Sequence, residues 1–180
     1  MRYTAPVQSE LPPVFLNTFS YASVWRTGWI AAPSSLAWST TNRIIYIPFF
    51  LTVGQTVYRY FWLNGATVGT NNFQVGVYTE AFAAVNRGTS TLSAGTANRV
   101  QFDDITDYYL GPGSYYLAMW GSGTTATIFS RNTGLTGGPL GVYYQTNAGG
   151  LPTTGTPADT AATDTPVIPL FGMAFRATDP

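Results

Sequence analysis

Three acidic residues, Asp103, Asp104 and Asp107, form the only concentration of charge in the chain. Carboxylates grouped in this way can bind Ca²⁺, which prefers several carboxylate and carbonyl oxygens as ligands. The alternative is structural, because Asp side chains accept hydrogen bonds from backbone amides where a strand meets a turn, here ahead of Gly111. Since the alternating Asp spacing of a dedicated calcium loop is absent, we favour the structural role and predict no metal or other cofactor.

Paired carboxylates can also hydrolyse glycosidic bonds when they stand about 5–10 Å apart across a cleft. The candidate acids are two glutamates and the same three aspartates: Glu10, Glu80, Asp103, Asp104 and Asp107. Neither glutamate lies in a recognisable catalytic setting. The chain contains no Cys, His or Lys, which excludes thiol and imidazole nucleophiles, His-ligated metals and Schiff-base chemistry. We therefore predict that the protein is not an enzyme.

Five tryptophans could stack on sugar rings, fill a core or anchor an interface. Trp62 and Trp120 alternate with other large residues in strand-like segments, which predicts burial in a core. The remaining three, with one neighbouring arginine, are candidates for a subunit interface or a glycan site: Trp25, Arg26, Trp29 and Trp38. Because Trp and Arg are enriched at interface hot spots, we favour the interface over the glycan.

The amino-acid composition excludes several classes of protein. Of the 180 residues, 45% are hydrophobic and 9% are charged, and the formal net charge is zero; an average soluble domain has about 25% charged residues. A nucleic-acid partner is excluded because no basic surface is available. Aromatic residues reach 16%, which excludes disorder. The N-terminus lacks the apolar stretch of a secretory signal, and the most apolar run, Ile44 to Val53, is too short and Pro-containing to span a membrane.

Nineteen Gly and twelve Pro punctuate the chain about every ten residues, the spacing of short strands. This predicts an all-β protein, a two-sheet β-sandwich with jelly-roll topology and an extended N-terminal arm. We expect the arm to comprise residues 1–41, with one or two short strands, and the sandwich domain to comprise residues 42–180. The glycine-rich segments 132–141 and 146–166 are predicted loops. The second could be a receptor-binding tip, a strap over a neighbouring subunit or a solvated loop.

Individual strands can also be predicted. In the segment Val57–Leu63, strict alternation predicts Val57 and Phe61 on one face and Tyr60 and Trp62 on the other. Pro48 indicates an edge position or a bulge within an otherwise β-branched and aromatic strand. Finally, the spacing of Thr89–Ser93 and Arg99–Ile105 around Ala94-Gly95-Thr96 predicts that these two segments pair with each other.

Several passages between Asn42 and Ser130, about half of the chain, resemble small β-sandwich proteins that recur among bacteriophage virion components. The shared features are an apolar strand followed by Pro and aromatics, and a Gly-Pro-Gly turn leading into Tyr-Tyr-Leu. They occur in Asn42–Phe49, Asn64–Asn72, Val75–Tyr78, Ile105–Asp107 and Leu110–Ala118. Proteins of this kind serve as head decorations or in tail-fibre and adhesion assemblies, and they are commonly trimeric.

The resemblance implies a non-enzymatic virion structural protein, a trimeric capsid decoration or cement protein assembled in the bacterial host cytoplasm. Its expected partners are further copies of itself and other virion proteins such as the major capsid protein, with no nucleic acid and no membrane. The alternative is a tail-fibre or spike adhesin head that binds a glycan on the host surface. Copy number separates the two, and copy number is not encoded in a sequence.

Overall fold

A computed structural model describes residues 15–17, 34–92, 96–132, 142–158 and 167–176. These residues form thirteen β-strands and no helix, so no helix that could cross a membrane occurs among them. The first seven strands are β1 (Phe15–Asn17), β2 (Ser34–Ala37), β3 (Arg43–Leu51), β4 (Gln55–Leu63), β5 (Asn72–Thr79), β6 (Ala84–Arg87) and β7 (Thr91–Leu92). The other six are β8 (Val100–Leu110), β9 (Gly113–Gly121), β10 (Thr127–Asn132), β11 (Tyr143–Thr146), β12 (Val167–Pro169) and β13 (Phe171–Phe175).

The strands form three antiparallel sheets. The four-stranded sheet has the order β1-β13-β4-β8, and the three-stranded sheet has the order β12-β10-β2. The six-stranded sheet has the order β11-β3-β9-β5-β6, and β7 also pairs with β5. The all-β prediction is therefore confirmed, and the arrangement is sandwich-like. Two strands from the predicted arm pair with the rest of the molecule, β1 with β13 and β2 with β10.

The main hydrophobic core lies between the six-stranded sheet and the other two. Alternate residues of β3, β5 and β9 point into it, including Ile45, Val75 and Met119. Trp62 of β4 lies against Phe73 with 6.1 Å between ring centroids, and neither side chain is exposed. Phe73, Val75 and Val77 form the inward row of β5, as alternation along a single strand predicts.

The central strands of the six-stranded sheet also bury their other face. A second apolar cluster on that side comprises Ile44, Tyr46, Tyr78, Ala118, Trp120 and Leu151. This explains why the sequences of β3 and β9 are apolar at consecutive positions: each strand has two buried faces. Pro48 lies beyond the residues of β3 that β11 pairs, where β3 has only β9 as a neighbour among the described strands. An edge-like position of this kind tolerates the missing N–H of proline.

The predicted alternation along β4 is wrong at one point. A bulge between Val57 and Arg59 shifts the register between β4 and β8 and reverses the alternation there. Val57 therefore enters the main core together with Tyr60 and Trp62. Phe61, which the sequence groups with Val57, instead lies beside Phe102, with 6.3 Å between the two ring centroids.

The predicted pairing of Thr89–Ser93 with Arg99–Ile105 is also wrong. Thr91–Leu92 pairs with β5, and Val100–Leu110 pairs with β4 over most of its length. The short separation in sequence favours a local hairpin, but β4 offers β8 a long aromatic partner. Burial against a distant strand outweighs the advantage of a short loop.

Candidate functional site

Strand β8 lies at an edge of the four-stranded sheet and carries exposed apolar side chains. It pairs with β4 on one side, and no other described strand pairs with its outer edge. Val100 and Phe102 are 47% and 45% exposed, and they lie two residues apart, on the same face of the strand. Exposed neighbouring apolar residues on an edge strand are typical of a contact surface.

Arg59 packs against this apolar surface. Its guanidinium lies over the rings of Phe102, at 4.8 Å from the centroid, and Tyr58, at 5.0 Å. The Nη2 atom is 2.6 Å from the Oδ1 atom of Asp104 on the neighbouring strand, while the buried Nε atom has no hydrogen-bond partner. The stacked guanidinium therefore covers part of the aromatic surface, and Asp104 neutralises its charge.

A second pair of the same kind lies farther along β8. Arg176 donates hydrogen bonds to both carboxylate oxygens of Asp107, and its guanidinium lies 5.1 Å from the ring centroid of Tyr58. The hydrogen bond from Arg176, reinforced by its charge, lowers the pKa of Asp107. We call the whole set the β8 surface: Tyr58, Arg59, Val100, Phe102, Asp104, Asp107 and Arg176. It combines aromatic and apolar side chains with charges that are paired within the chain, and aromatic residues and Arg are enriched at protein interfaces.

The three aspartates considered above as a calcium site do not converge. All three lie inside β8 rather than at its end. Asp103 points inward and is buried, and its Oδ2 atom accepts a hydrogen bond from the backbone N–H of Thr89 at 2.8 Å. Desolvation raises the pKa of this carboxyl group, the hydrogen bond from Thr89 opposes the rise, and nearby Asp104 adds to it. Within the described ranges, no three His, Cys, Asp or Glu side chains lie close enough together to hold a metal ion.

A different aromatic group occupies the outer face of the six-stranded sheet. The ring of Phe82 stacks on Tyr116 with 4.6 Å between centroids and 17° between planes. Tyr143 and Tyr46 approach the same ring edge-on, each at 5.4 Å. Phe82 has a backbone φ of 56°, which is unusual for a bulky residue and keeps the ring inside the cluster. These four residues, together with Tyr78, form what we call the tyrosine cluster.

Residues 147–158, which we call the strap, close over this face. The Tyr78 hydroxyl donates to the carbonyl of Pro152 at 2.6 Å, and Nε1 of Trp120 donates to the carbonyl of Asn147 at 2.8 Å. In addition, the N–H of Gly155 donates to the carbonyl of Phe82 at 2.8 Å. The described half of the predicted 146–166 loop is therefore laid over its own sheet, while residues 159–166 lie outside the described part of the chain.

The tryptophans separate into two groups. Trp62 and Trp120 are buried, which confirms their predicted place in the core. Trp38, a candidate for an interface or a glycan, is only 5% exposed, and its indole packs edge-on against Phe73 at 5.5 Å. Its Nε1 atom donates to the carbonyl of Arg43, so Trp38 serves the core. Three other candidates, Trp25, Arg26 and Trp29, lie outside the described residues.

Sequence reasoning missed the β8 surface. A signal was present, because Val100 and Phe102 alternate with the polar residues Gln101 and Asp103. That pattern indicates a strand with one apolar face, but it does not say that the apolar face is the one directed outward. Only the position of Asp103, buried under the sheet, shows this.

Comparison of the chain with models of known protein families, with curated proteins and with solved structures gives no match.

Proposed function

We propose that the protein is a non-enzymatic structural component of a bacteriophage virion, a homotrimer that decorates or cements the capsid. The observation that carries the proposal is the β8 surface, where Val100 and Phe102 stay exposed while the neighbouring charges are neutralised in pairs. Covering a surface of this kind with a protein partner costs little desolvation free energy, because its charges are already paired within the chain. The resemblance of residues 42–130 to small virion sandwiches supplies the setting.

Electrical neutrality supports repeated self-association. The formal charge of the chain is zero, so copies placed side by side experience no net repulsion. The partners we propose are therefore further copies of the chain and the major capsid protein. Trp25, Arg26 and Trp29 are proposed as further contacts to a neighbouring subunit, made by an N-terminal arm of residues 1–41.

The fold we propose is a jelly roll. Two features support this topology. Strands β3, β4, β5, β8 and β9 cross repeatedly between the six-stranded and the four-stranded sheet, and β9 lies between β3 and β5, which precede it in the chain. Insertion of a late strand between two early ones is characteristic of Greek-key connections, of which a jelly roll contains two.

The decisive experiment is to count copies of this chain in purified particles by quantitative mass spectrometry, with antibody labelling to locate them. Hundreds of copies distributed over the head are expected. Absence from particles would overturn the proposal. Analytical ultracentrifugation of the purified protein tests the trimer separately, and a stable monomer at high concentration would contradict it.

A tail-fibre or spike adhesin is the second candidate, and one observation favours it. Beside the strap, an open groove of about 420 Å³ is lined by polar groups, among them Gln74, Asn86, Arg87 and Thr153. Amide, guanidinium and hydroxyl groups of this kind can hydrogen-bond sugar hydroxyls. Binding of the intact protein to a glycan array, lost on Asn86→Ala and retained on Val53→Ala, would support the adhesin. Low copy number at the tail would point the same way.

A further inference from the structure

The polar groove beside the strap is cationic. Arg87 is the only charged side chain among the described residues that line it, and no acidic side chain is among them. The other walls come from the rest of β6, from Gln74 of β5 and from Thr153 of the strap. A positive charge is therefore concentrated in one concave part of a chain whose formal net charge is zero.

Arg87 differs from the two arginines of the β8 surface. Arg59 and Arg176 each form an ion pair with an aspartate. Within the part of the chain that the structure describes, Arg87 has no such partner, and its Nη1 atom donates to the carbonyl of Leu151 at 2.6 Å. A neutral carbonyl fixes the guanidinium without neutralising its charge, so the other N–H groups can still donate to an anion.

Hydrogen bonds hold the groove in shape from two sides. The Nε2 atom of Gln74 donates to the carbonyl of Gly88, and its Oε1 atom accepts from the N–H of Leu151, each at 2.7 Å. This one side chain thus ties the end of β6 to the strap. From the core side, the hydroxyl of Tyr60 donates to Oδ1 of Asn86 at 3.0 Å. Groups that are already ordered lose little conformational entropy when they bind a ligand.

Two neutral donors lie beside Arg87. Because Oδ1 of Asn86 accepts from Tyr60, its Nδ2 group is left to donate, and the exposed Thr153 adds a hydroxyl. The largest apolar residue of the lining is Val85, which is 39% exposed, and none of the described lining residues is aromatic. One cation, neutral donors and little apolar surface suit a polar anionic ligand better than the apolar side chains of a peptide.

We propose that the groove binds a carboxylate-bearing sugar, such as a uronic acid, with the carboxylate on the guanidinium of Arg87 and sugar hydroxyls on Asn86 and Thr153. A guanidinium presents its N–H groups in a fork that matches the two oxygens of a carboxylate. A single arginine neutralises that group, whereas a phosphate monoester carries about two charges. This inference rests on the glycan binding proposed above as the second function, and it names the class of glycan.

The test is binding of the full chain to an array of acidic glycans, each printed beside a counterpart in which the carboxyl group is reduced to an alcohol. The carboxylated member of each bound pair is expected to bind roughly tenfold more tightly, because the counterpart lacks the charged acceptor. Equal binding of the two members would overturn the carboxylate contact and leave glycan binding in place. Failure to bind either kind would overturn both proposals.

Two other sources of negative charge are separated in the same assay. Sulfated glycans of matching backbone are printed on the array, and a polyglutamate peptide is added as a competitor. Weaker binding to the sulfated members and little competition by the peptide are expected. Preference for sulfate, or competition by polyglutamate as strong as that by the free acidic glycan, would overturn the proposed ligand class.

Arg87→Gln should lower binding to carboxylated glycans about tenfold, to the level of their reduced counterparts, whose own binding should change little. Arg99→Gln is the matched control, because Arg99 is exposed, lies outside the groove and carries the same charge. Arg87→Lys retains the charge and should bind carboxylated glycans better than Arg87→Gln, which separates loss of charge from loss of the bond to the strap. Undiminished binding by Arg87→Gln, or equal losses in Arg87→Gln and Arg99→Gln, would overturn the proposal.

Discussion

The outer faces of the two larger sheets both carry apolar and aromatic residues, but they differ in how far the chain covers them. On the six-stranded sheet, Tyr78 and Trp120 are fully or almost fully buried beneath the strap, which accepts hydrogen bonds from both side chains. On the four-stranded sheet, Phe102 and Val100 remain exposed beside a stacked arginine. The chain is thus able to cover an apolar face with its own residues. Where the described structure leaves such a face open and neutralises its charges, we propose that a partner covers it.

The largest effect is expected from Trp120→Ala on the covered face. The change removes a side chain that is 4% exposed and the hydrogen bond to Asn147, so it should lower the free energy of unfolding by about 3–5 kcal/mol. Urea denaturation measures this loss. Phe102→Ala is the matched control on the open face, where a much smaller loss is expected. Equal losses in the two variants would remove the contrast between the faces.

A smaller effect is expected from Tyr78→Phe, which keeps the ring and removes only the hydroxyl that donates to Pro152. The loss should be about 1 kcal/mol, because a carbonyl of the strap is left without its donor. Amide hydrogen exchange in the strap should accelerate at the same time. Tyr109→Phe serves as a control because Tyr109 is 69% exposed. Unchanged exchange in Tyr78→Phe would mean that this hydroxyl does not anchor the strap.

On the open face, Phe102→Ser should change stability by no more than about 1 kcal/mol, because the ring is already half-exposed. The same change should reduce incorporation of the chain into particles, measured in competition with the unaltered protein. Val53→Ser removes a comparable exposed apolar side chain elsewhere and should be incorporated normally. Normal incorporation of Phe102→Ser would show that assembly does not depend on the β8 surface.

The smallest and most specific effect is expected in the pH dependence of stability. Desolvation raises the folded-state pKa of Asp103 above its ordinary value of 3.8, so the folded protein holds this proton to higher pH than the unfolded chain. The stability contributed by the protonated group is present below pH 3.8 and is lost as pH rises through the folded pKa. The stability of Asp103→Asn relative to that of the unaltered protein should therefore increase from acidic to neutral pH. Denaturation at both pH values measures this difference.

Asp107→Asn provides a control of opposite sign. The hydrogen bond from Arg176 lowers the pKa of Asp107, so its contribution is present above its ordinary pKa and is lost as pH falls through the folded one. This variant should lose stability relative to the unaltered protein on going from acidic to neutral pH. The same direction of change in both variants would contradict the assignment of Asp103 to the buried side of β8 and Asp107 to the exposed side.

Those parts of the fold that depend on local pattern could be predicted from the sequence. The all-β class and the inward row of Phe73, Val75 and Val77 follow from alternation along one strand. The burial of Trp62 and Trp120 follows from the large residues that surround each of them. No knowledge of the partner strand is needed for any of these.

Features that depend on distant partners could not be predicted. The bulge that moves Val57 to the side of Trp62 exists only because β4 pairs with β8, which follows it after many intervening residues. Trp38 resembles its neighbours Trp25 and Trp29 in sequence context, yet it enters the core because β2 pairs with β10 and carries the chain across Phe73. The position of the strap could not be predicted either, because a Gly- and Thr-rich segment carries no signal for the sheet that it covers.

The strap is bound mainly through its backbone, because the acceptors that hold it are the carbonyl oxygens of Asn147, Leu151 and Pro152. Several of its side chains, including Thr153 and Thr154, point into solvent. Residue identity at such positions contributes little to docking. The side chains of this part of the molecule can therefore change while the face beneath it stays sealed. Side-chain substitutions at Thr153 and Thr154 should leave the strap in place, because the carbonyl of Thr153 still accepts a hydrogen bond from the backbone N–H of Ala84.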